Sequence, residues 1–343
     1  MIVLSLFDGM SATQQALKEL GVPVTRYYAS EIDNYAMQIT AKNFPDTIQL
    51  GNVQGVEIKH LALVPDLIVA GSPCQDLSFA GKGKGLDGER SGLFFEAIRI
   101  IKEAKAINSN VKVLIENVRM KQEHMDTMTD ALSEALGERV TPQLLNSRLV
   151  SAQNRQRLYW YNWETIEEPE DRGIMLKDIL EDGYVDRDKA HCIDANYFKG
   201  GNLKSYFEKH RRQLVFSKDG LCHIGDADLS GNQTIKRVYH AEGKAPTLTT
   251  MGGGHREPKV YTGDMKFRKL TVRECERLQT FPDGYCDGVS NTQAYKMLGN
   301  SFNVETVKCI LSPIVEELED GESDVDNAYG YHNATVDPRN VEE

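Results

Sequence analysis

The sequence predicts an α/β fold in which a parallel sheet carries helices on both of its faces. Two observations lead to this prediction. Strand-like and helix-like segments alternate along the first 160 residues, which is typical of chains that return to one parallel sheet through crossover helices. Polar or reactive residues also stand where successive predicted strands end, and ligands of such sheets bind outside the carboxyl ends of the strands.

Each predicted element follows from a local pattern of apolar residues and of helix-ending signals. Ala12, Ala16 and Leu17 would share one face of the first helix, and Gly21 would end that helix. Asp33 is placed to cap the second helix. The elements are, in chain order, strand 2–7, helix 11–21, strand 25–32, helix 34–44, strand 65–73, helix 92–105 and strand 111–118.

The regular alternation stops after residue 162. Glycines then separate short strand-like pieces up to residue 270, which indicates a smaller, irregular and β-rich domain. Residues 199–218 carry six lysines and arginines against one glutamate, a pattern that fits either a solvated surface or a face that contacts phosphates. Helical patterning returns where Thr271 and Glu274 form a capping-box signal, and Pro282 marks its end. The predicted divisions are 1–162, 163–270, 271–315 and a tail, 316–343.

The composition is that of a soluble globular protein of 343 residues, with 40% hydrophobic and 27% charged residues. No basic leader and no apolar run of about 18 residues is found, so we expect neither a signal peptide nor a membrane span. The six cysteines include no C-x-x-C pair, which favours a reducing cytoplasm and argues against a metal site. The net charge is −11, and ten acidic residues fall in 316–343, so we expect a disordered acidic tail and a nearly neutral body.

Cys74 and Glu116 are the first candidates for reactive groups. Cys74 follows Pro73 at the end of a predicted apolar strand and precedes a loop rich in glycine and lysine. A thiol near a helix N-terminus has a lowered pKa, and the thiolate is the nucleophilic form. Burial as a small apolar residue is the alternative for a lone cysteine. Glu116 ends an otherwise apolar strand, where burial would raise its pKa and let it carry a proton near neutral pH.

Two further patterns suggest ligand contacts. Glu31 lies 22 residues after Gly9, near the spacing at which an acid meets a ribose diol. Gly9 is the only glycine of its turn, which makes the turn a poor cradle for a pyrophosphate but leaves room for a nucleoside. Gln153, Arg155 and Arg157 stand at every second position, so in a strand they would share one face.

Five motifs, taken in order, resemble those of the DNA cytosine C5-methyltransferases. They are SPCQ (72–75), ENV (116–118), QNRQR (153–157), RECERLQTFP (273–282) and YKMLGNSF (295–302). The resemblance covers roughly residues 1–315, and five motifs in the family's order are far more specific than any one alone. It implies the Rossmann-like sheet of class I S-adenosylmethionine-dependent methyltransferases, with 163–270 as a target-recognition domain.

The resemblance also implies a mechanism. The target cytosine is flipped out of double-stranded DNA because its ring face is unreachable inside the stack. The Cys74 thiolate attacks C6 while Glu116 contacts N3, and Arg157 and Arg155 hold the O2 side of the base. Carbon C5 then takes the methyl group, and loss of the C5 proton with release of Cys74 restores the ring.

The remaining site positions follow from the same motifs and from composition. The resemblance assigns cofactor contacts to Phe7, Asp8, Gly9, Glu31, Ile32, Asn52, Pro73, Leu93 and Asn300. Expected DNA contacts are Gln75, Lys82, Lys84, Arg90, Thr249 and Thr250. The basic residues lie in a glycine-rich loop suited to close over phosphates. The threonines lie in 245–259, the best candidate for base contact.

Two positions depart from the family pattern. The first motif usually has further glycines where this chain has Met10, Ser11 and Ala12, and Asn52 stands where an aspartate commonly meets the adenine amine. An asparagine carbonyl still accepts that hydrogen bond, although without a charge. We therefore expect an altered affinity for the cofactor and not its loss.

Two other functions stay open at this stage. An RNA cytosine C5-methyltransferase would share the fold, and a catalytically inactive relative would only bind DNA. Intact Cys74, Glu116 and Arg157 argue against the inactive relative. An amino-methyltransferase is disfavoured because the Asp/Asn-Pro-Pro-Tyr/Phe motif is not found. We expect a cytoplasmic monomer that acts on double-stranded DNA, while a cognate restriction enzyme and the recognition sequence stay open.

Overall fold

The computed structural model describes residues 1–72, 92–216, 223–226, 237–239, 259–260 and 267–315. Seven strands form the main sheet: β1 (Ile2–Leu6), β2 (Arg26–Ser30), β3 (Ile48–Gln49), β4 (Leu67–Gly71), β5 (Lys112–Val118), β6 (Gln143–Asn146) and β7 (Gln156–Tyr161). Their order is β3-β2-β1-β4-β5-β7-β6. Neighbouring strands are parallel except β7, which runs antiparallel to both β5 and β6.

Helices cover both faces of this sheet, as predicted. Those of the first half are α1 (Ala12–Glu19), α2 (Asn34–Asn43), α3 (Gly92–Ile107) and α4 (Gln122–Leu136). Successive residues of β1 point to opposite faces, so Val3 belongs to the core that contains α1 and α2, and Leu4 belongs to the core that contains α3 and α4. None of the helices in the described ranges is long and apolar enough to cross a membrane.

The prediction for residues 153–157 is corrected by the structure. They were expected to form one strand, but β7 begins only at Gln156. The preceding backbone bonds elsewhere: the amide of Asn154 donates to Ala190, and the amide of Arg155 donates to the side chain of Asn146. The chain therefore enters the sheet from an irregular segment, which points Gln153 and Arg155 into the protein.

The core does not stop at residue 162. Leu176, Ile193 and Tyr197 belong to the same buried cluster as α1 and α2. The smaller elements are α5 (Leu203–Lys209), β8 (Leu214–Phe216), β9 (His223–Asp226), β10 (Arg237–Tyr239), β11 (Lys259–Val260) and β12 (Phe267–Lys269). They form a two-stranded sheet, β12-β8, and a three-stranded sheet, β11-β10-β9. The division of the chain into domains at 162 and 270 remains a prediction.

The C-terminal segment returns to the main sheet. It contains α6 (Val272–Leu278), α7 (Asn291–Asn300) and a last helix over residues 304–315, and its apolar residues complete the core that covers α1 and α2. The predicted capping box at the start of α6 is present: the Thr271 hydroxyl accepts from the amide of Glu274, and the Glu274 carboxylate accepts from the amide of Thr271. Arg268 pairs with the same buried carboxylate.

We expect Thr271→Ala to lower the free energy of unfolding by about 1 kcal/mol, because the amide of Glu274 loses its capping partner. Thr271→Ser keeps the hydroxyl and is the matched control. Urea unfolding followed by circular dichroism measures both variants. Equal midpoints for the two variants would contradict a capping role of the hydroxyl.

Candidate active site

A cavity of about 330 Å³ opens at the carboxyl ends of β1, β2, β4 and β5, where the sequence predicted a row of polar groups. Pockets that hold small organic ligands begin at roughly this size. Ten of the predicted site residues line the cavity: Phe7, Gly9, Glu31, Ile32, Asn52, Leu93, Glu116, Arg155, Arg157 and Asn300. The structure thus brings residues that are far apart in sequence to one place.

Glu31 organises the wall next to β1 and β2. Its Oε2 accepts a hydrogen bond from the amide of Gly9 at 2.8 Å, and its Oε1 accepts from the amides of Ile32 at 2.7 Å and Asp33 at 2.8 Å. The Ile32 side chain beside it is 71% exposed and contributes an apolar surface to the cavity. A carboxylate next to an apolar surface suits a ligand with hydroxyl groups on one side and a flat ring on the other.

Asn52 lies on the same wall and caps a short turn. Its Oδ1 accepts from the amide of Gln54 at 3.1 Å, and its Nδ2 donates to the Gln54 side chain at 3.2 Å. A carbonyl oxygen has two lone pairs. Asn52 can therefore hold the turn and still accept one further hydrogen bond from a ligand.

Glu116 and Arg157 form an ion pair that also lines the cavity. Nε of Arg157 lies 3.0 Å from Oε1 of Glu116, and both side chains are largely buried. The antiparallel pairing of β7 with β5 brings them together, because Val118 stands opposite Arg157 and Glu116 lies on the same strand. Burial raises the pKa of Glu116, and the nearby Arg157 and Arg155 offset only part of that effect. The carboxyl can therefore carry a proton at a higher pH than an exposed glutamate.

Arg155 is buried and bonds to the backbone of two other segments. The side chain is 3% exposed. Its guanidinium donates to the backbone carbonyls of Ser301 at 2.7 Å, Ile193 at 3.2 Å and Gly299 at 3.3 Å. Its Nη1 and Nη2 groups are thus engaged with the backbone, while the expected contact of Arg155 with the base stays a prediction. Arg155 lines the cavity but holds the segment around Ile193 against the end of α7.

Cys192 lies between the two arginines. Its Sγ is 3.4 Å from Nη1 of Arg155 and 3.8 Å from Nη2 of Arg157. Burial would raise the pKa of this thiol, but the two guanidinium groups outweigh burial and lower it. The two cations thus favour the thiolate form of Cys192 more than burial disfavours it. The sequence alone does not single out Cys192, because it contacts these arginines only through the fold.

Two glycines allow close contacts around the cavity. A Cβ added to Gly299 would lie 2.2 Å from the backbone carbon of Asp194, so only glycine lets α7 approach that segment. A Cβ added to Gly71 would lie 2.7 Å from the ring of Phe302 and 3.8 Å from the Glu116 carboxylate. A side chain larger than hydrogen would therefore clash at Gly71, at the end of β4, and at Gly299, in the YKMLGNSF motif.

The ENV motif also contacts the start of the segment that carries Cys74. Asn117 is 1% exposed, and its Nδ2 donates to Oγ of Ser72 at 3.0 Å. Ser72 is the last described residue before 73–91. Asn117 therefore fixes the point from which the predicted nucleophile segment leaves β4.

An ion pair that was not predicted lies on the cavity wall. Nζ of Lys296 lies 2.6 Å from Oδ2 of Asp33, and both residues line the cavity. Asp33 caps α2 and Lys296 lies on α7, so the pair links the first half of the chain to the C-terminal segment. The sequence could have indicated Lys296, because it precedes the predicted cofactor residue Asn300 by four positions. Residues four apart lie on the same face of a helix.

The other nine predicted site residues are not on the described cavity wall. Asp8 lies beneath the wall, with its carboxylate bonded to Ser11 and Tyr27. The rest lie outside the described residues: Pro73, Cys74, Gln75, Lys82, Lys84, Arg90, Thr249 and Thr250. Nearly all of 245–259 and the whole of 316–343 lie outside them as well. These assignments remain predictions. Within the described part of the chain, no cluster of histidine, cysteine and acidic residues could hold a metal ion.

Comparisons with known proteins agree on one family. The sequence model of a family described as C-5 cytosine-specific DNA methylase matches residues 1–316. The chain is 29% identical to the type II methyltransferase M.HpaII of Haemophilus parainfluenzae, over 92% of this chain and 89% of that protein. It is 26% identical to the orphan methyltransferase M.SPBetaI of Bacillus phage SPbeta, over 94% of this chain and 99% of that protein. The solved structure of the S. pombe Dnmt2 methyltransferase shares the fold, with a TM-score of 0.61, 16% identity, and coverage of 93% of this chain and 99% of that one.

The chain belongs to the C5 cytosine-specific DNA methyltransferase family, and its sheet is the Rossmann-like sheet of S-adenosylmethionine-dependent methyltransferases. The family implies S-adenosylmethionine as the methyl donor, and the residues present fit that cofactor. The Glu31 carboxylate suits ribose hydroxyls, and the exposed side chain of Ile32 suits an adenine ring. The Glu116–Arg157 pair lines the same cavity.

We expect the two arginines to differ when each is replaced by methionine. Arg155→Met removes a donor from three backbone carbonyls, of which that of Ser301 keeps a second donor, Nε2 of Gln279 at 3.3 Å. A buried acceptor left without a donor costs about 1–3 kcal/mol, so the unfolding midpoint in urea falls strongly. Arg157→Met leaves Glu116, which can take up a proton, so stability falls less while methyl transfer is lost. Arg155→Lys is the conservative control. Equal losses of stability for Arg155→Met and Arg157→Met would contradict the anchoring role of Arg155.

Proposed function

We propose that this protein transfers a methyl group from S-adenosylmethionine to carbon 5 of a flipped cytosine in double-stranded DNA, with Cys74 as the covalent nucleophile. One observation carries the proposal. The Glu116–Arg157 pair and the Glu31 wall belong to one cavity at the carboxyl ends of the strands. A base-binding pair and a nucleoside-binding wall within one cavity are what a direct transfer between base and cofactor requires.

The base end of the cavity would neutralise charge that develops in the ring. When the Cys74 thiolate adds to C6, the ring gains electron density and N3 becomes basic. A protonated Glu116 donates to N3, and Arg157 carries the positive charge that holds O2. Attack at C6 makes C5 nucleophilic, which an unmodified cytosine is not. The S–C6 bond breaks again when the C5 proton is removed.

The cofactor end would bind the nucleoside and shield it from water. S-adenosylmethionine supplies an electrophilic methyl group when it is bound. Glu31 would accept hydrogen bonds from the ribose hydroxyls, and Ile32 would pack on the adenine. Asn52 offers its second lone pair to the adenine amine. The Asp33–Lys296 pair closes the cavity between α2 and α7.

The test is methylation sequencing of an unmethylated plasmid and of mixed genomic DNA after incubation with the enzyme and S-adenosylmethionine. We expect 5-methylcytosine in one defined sequence context, and none with Cys74→Ala. A duplex that carries 5-fluorocytosine in that context should remain attached to the wild-type protein on a denaturing gel, because fluorine blocks the loss from C5. Methylation of tRNA and not of duplex DNA would overturn the choice of substrate. Full activity of Cys74→Ala would overturn the nucleophile.

The pH dependence of single-turnover methyl transfer should reflect Glu116. Because burial raises the pKa of this carboxyl, its acid form persists to a higher pH than usual. The rate should fall as the pH rises through that raised pKa. Glu116→Gln cannot transfer a proton to N3, so it should react about 10²–10⁴-fold more slowly. Its amide remains a hydrogen-bond donor near N3 at every pH, so its rate should not fall as the pH rises. A fall of the same size in the variant would assign the pH dependence to another group.

A further inference from the structure

Residues 7–11, which we call the cofactor turn, adopt a strained backbone conformation. The φ angles of Phe7, Gly9 and Ser11 are +56°, +61° and +63°. Positive φ is the left-handed region, which glycine enters freely and other residues avoid. Phe7 and Gly9 line the cavity. Something other than intrinsic preference must therefore hold Phe7 and Ser11 in this conformation.

A chain of hydrogen bonds beneath the turn stabilises Ser11 in this conformation. The Tyr27 hydroxyl donates to Oδ1 of Asp8 at 2.8 Å, and the Ser11 hydroxyl donates to Oδ2 at 2.5 Å. The Ser11 oxygen also lies 3.0 Å from Oγ1 of Thr40 on α2. Because Ser11 gives its only proton to Asp8, Thr40 must donate to Ser11. The direction of the whole chain is thus set by an ionised Asp8, which can only accept.

The surroundings of Asp8 disfavour its charge. Burial is the largest effect and raises the pKa of Asp8 to about 6, although its hydroxyl partners lower it. The groups that face the carboxyl come from several elements: Ser5 of β1, Ser11 of the turn, Tyr27 of β2, Glu31 after β2, and Tyr285 of the C-terminal segment. An ionised Asp8 in this buried position lowers the stability of the fold at neutral pH. This cost suggests that the charge serves function and not folding.

We propose that Asp8 is a positioning residue whose ionised form holds Ser11, and with it the cofactor turn, in the conformation that binds the cofactor. The inference rests on the proposed function, since it assumes that the cavity binds S-adenosylmethionine. Protonation of Asp8 turns one of its two oxygens into a donor, so the hydrogen bond from Ser11 or Tyr27 to that oxygen must change direction. Both bonds also lose the charge assistance that makes them roughly twice as strong as neutral ones. Binding of the cofactor should therefore expel the proton from Asp8.

The direct test is the dissociation constant of S-adenosylmethionine, measured by isothermal titration calorimetry between pH 5 and pH 8. With a free-state pKa of about 6, binding to the ionised form alone weakens about tenfold from pH 8 to pH 5. Repeating the titration near pH 6 in buffers with different ionisation enthalpies should show release of a proton. In Asp8→Asn the constant should be flat across this range and weaker than wild type at pH 8.

Stability should move in the opposite direction from affinity. A carboxyl whose pKa is raised by folding costs no stability below its unfolded pKa, and the cost develops as the pH rises through its folded pKa. Asp8→Asn should thus unfold at a higher urea concentration than wild type at pH 8, with the difference closing near pH 4. A residue with a merely structural role would lose stability and affinity together.

Ser11→Gly is a second variant that keeps the charge and relieves the left-handed strain. It removes a donor to Asp8, and because that hydrogen bond lowers the pKa, the step in the affinity curve should move to higher pH. The same pH step in Asp8→Asn as in wild type, or an unmoved step in Ser11→Gly, would overturn the inference. A wild-type protein that binds the cofactor with no step would also overturn it. No binding at any pH would instead overturn the proposed function.

Discussion

Three hydrogen bonds from Arg155 to backbone carbonyls hold the end of α7, which lines the cavity, against the segment around Ile193. One carbonyl belongs to Ile193 and two belong to the end of α7, so a single buried side chain joins segments that are far apart in sequence. Arg157 projects from β7 two residues later, and Asn300 lies between the two bonded residues of α7. Arg155 therefore fixes the end of α7, which lines the cavity, against the segment around Ile193.

Burying two arginine side chains costs free energy, because both charges lose their contact with water. Neighbouring acidic side chains offset part of this cost. Arg155 and Arg157 are two buried cations. Glu116 lies 3.0 Å from one of them, and Cys192 lies within 4 Å of both. Breaking a buried pair usually costs more than the pair itself contributes to stability. At Cys192 the two guanidinium groups outweigh the effect of burial and lower the pKa of the thiol.

The sequence predicts the sheet well because its strands and helices follow local patterns that packing reinforces. The limits of α3 and β5 are predicted to within two residues, and the capping box at Thr271 is present. The sequence predictions fail where contacts between residues far apart in the chain determine the local conformation. Gln153, Arg155 and Arg157 stand at every second position, as on one face of a strand. Arg155 nevertheless turns inward, because its partners lie some 40 and 150 residues further along the chain. No local pattern contains that information.

The departure at Ser11 shows how such long-range contacts replace a local preference. Sequence comparison with the family suggests a weakened turn, because glycine is missing where φ is positive. The structure shows a serine held in that conformation by Asp8 and Thr40, which lie beside it in space. Ser11, Asp8 and Thr40 therefore depend on one another. Replacing Ser11 by glycine alone, or Asp8 by an uncharged residue alone, does not give the turn of a family member with glycine at this position. It leaves a buried carboxylate or a strained serine without its counterpart, and the two sites must couple energetically.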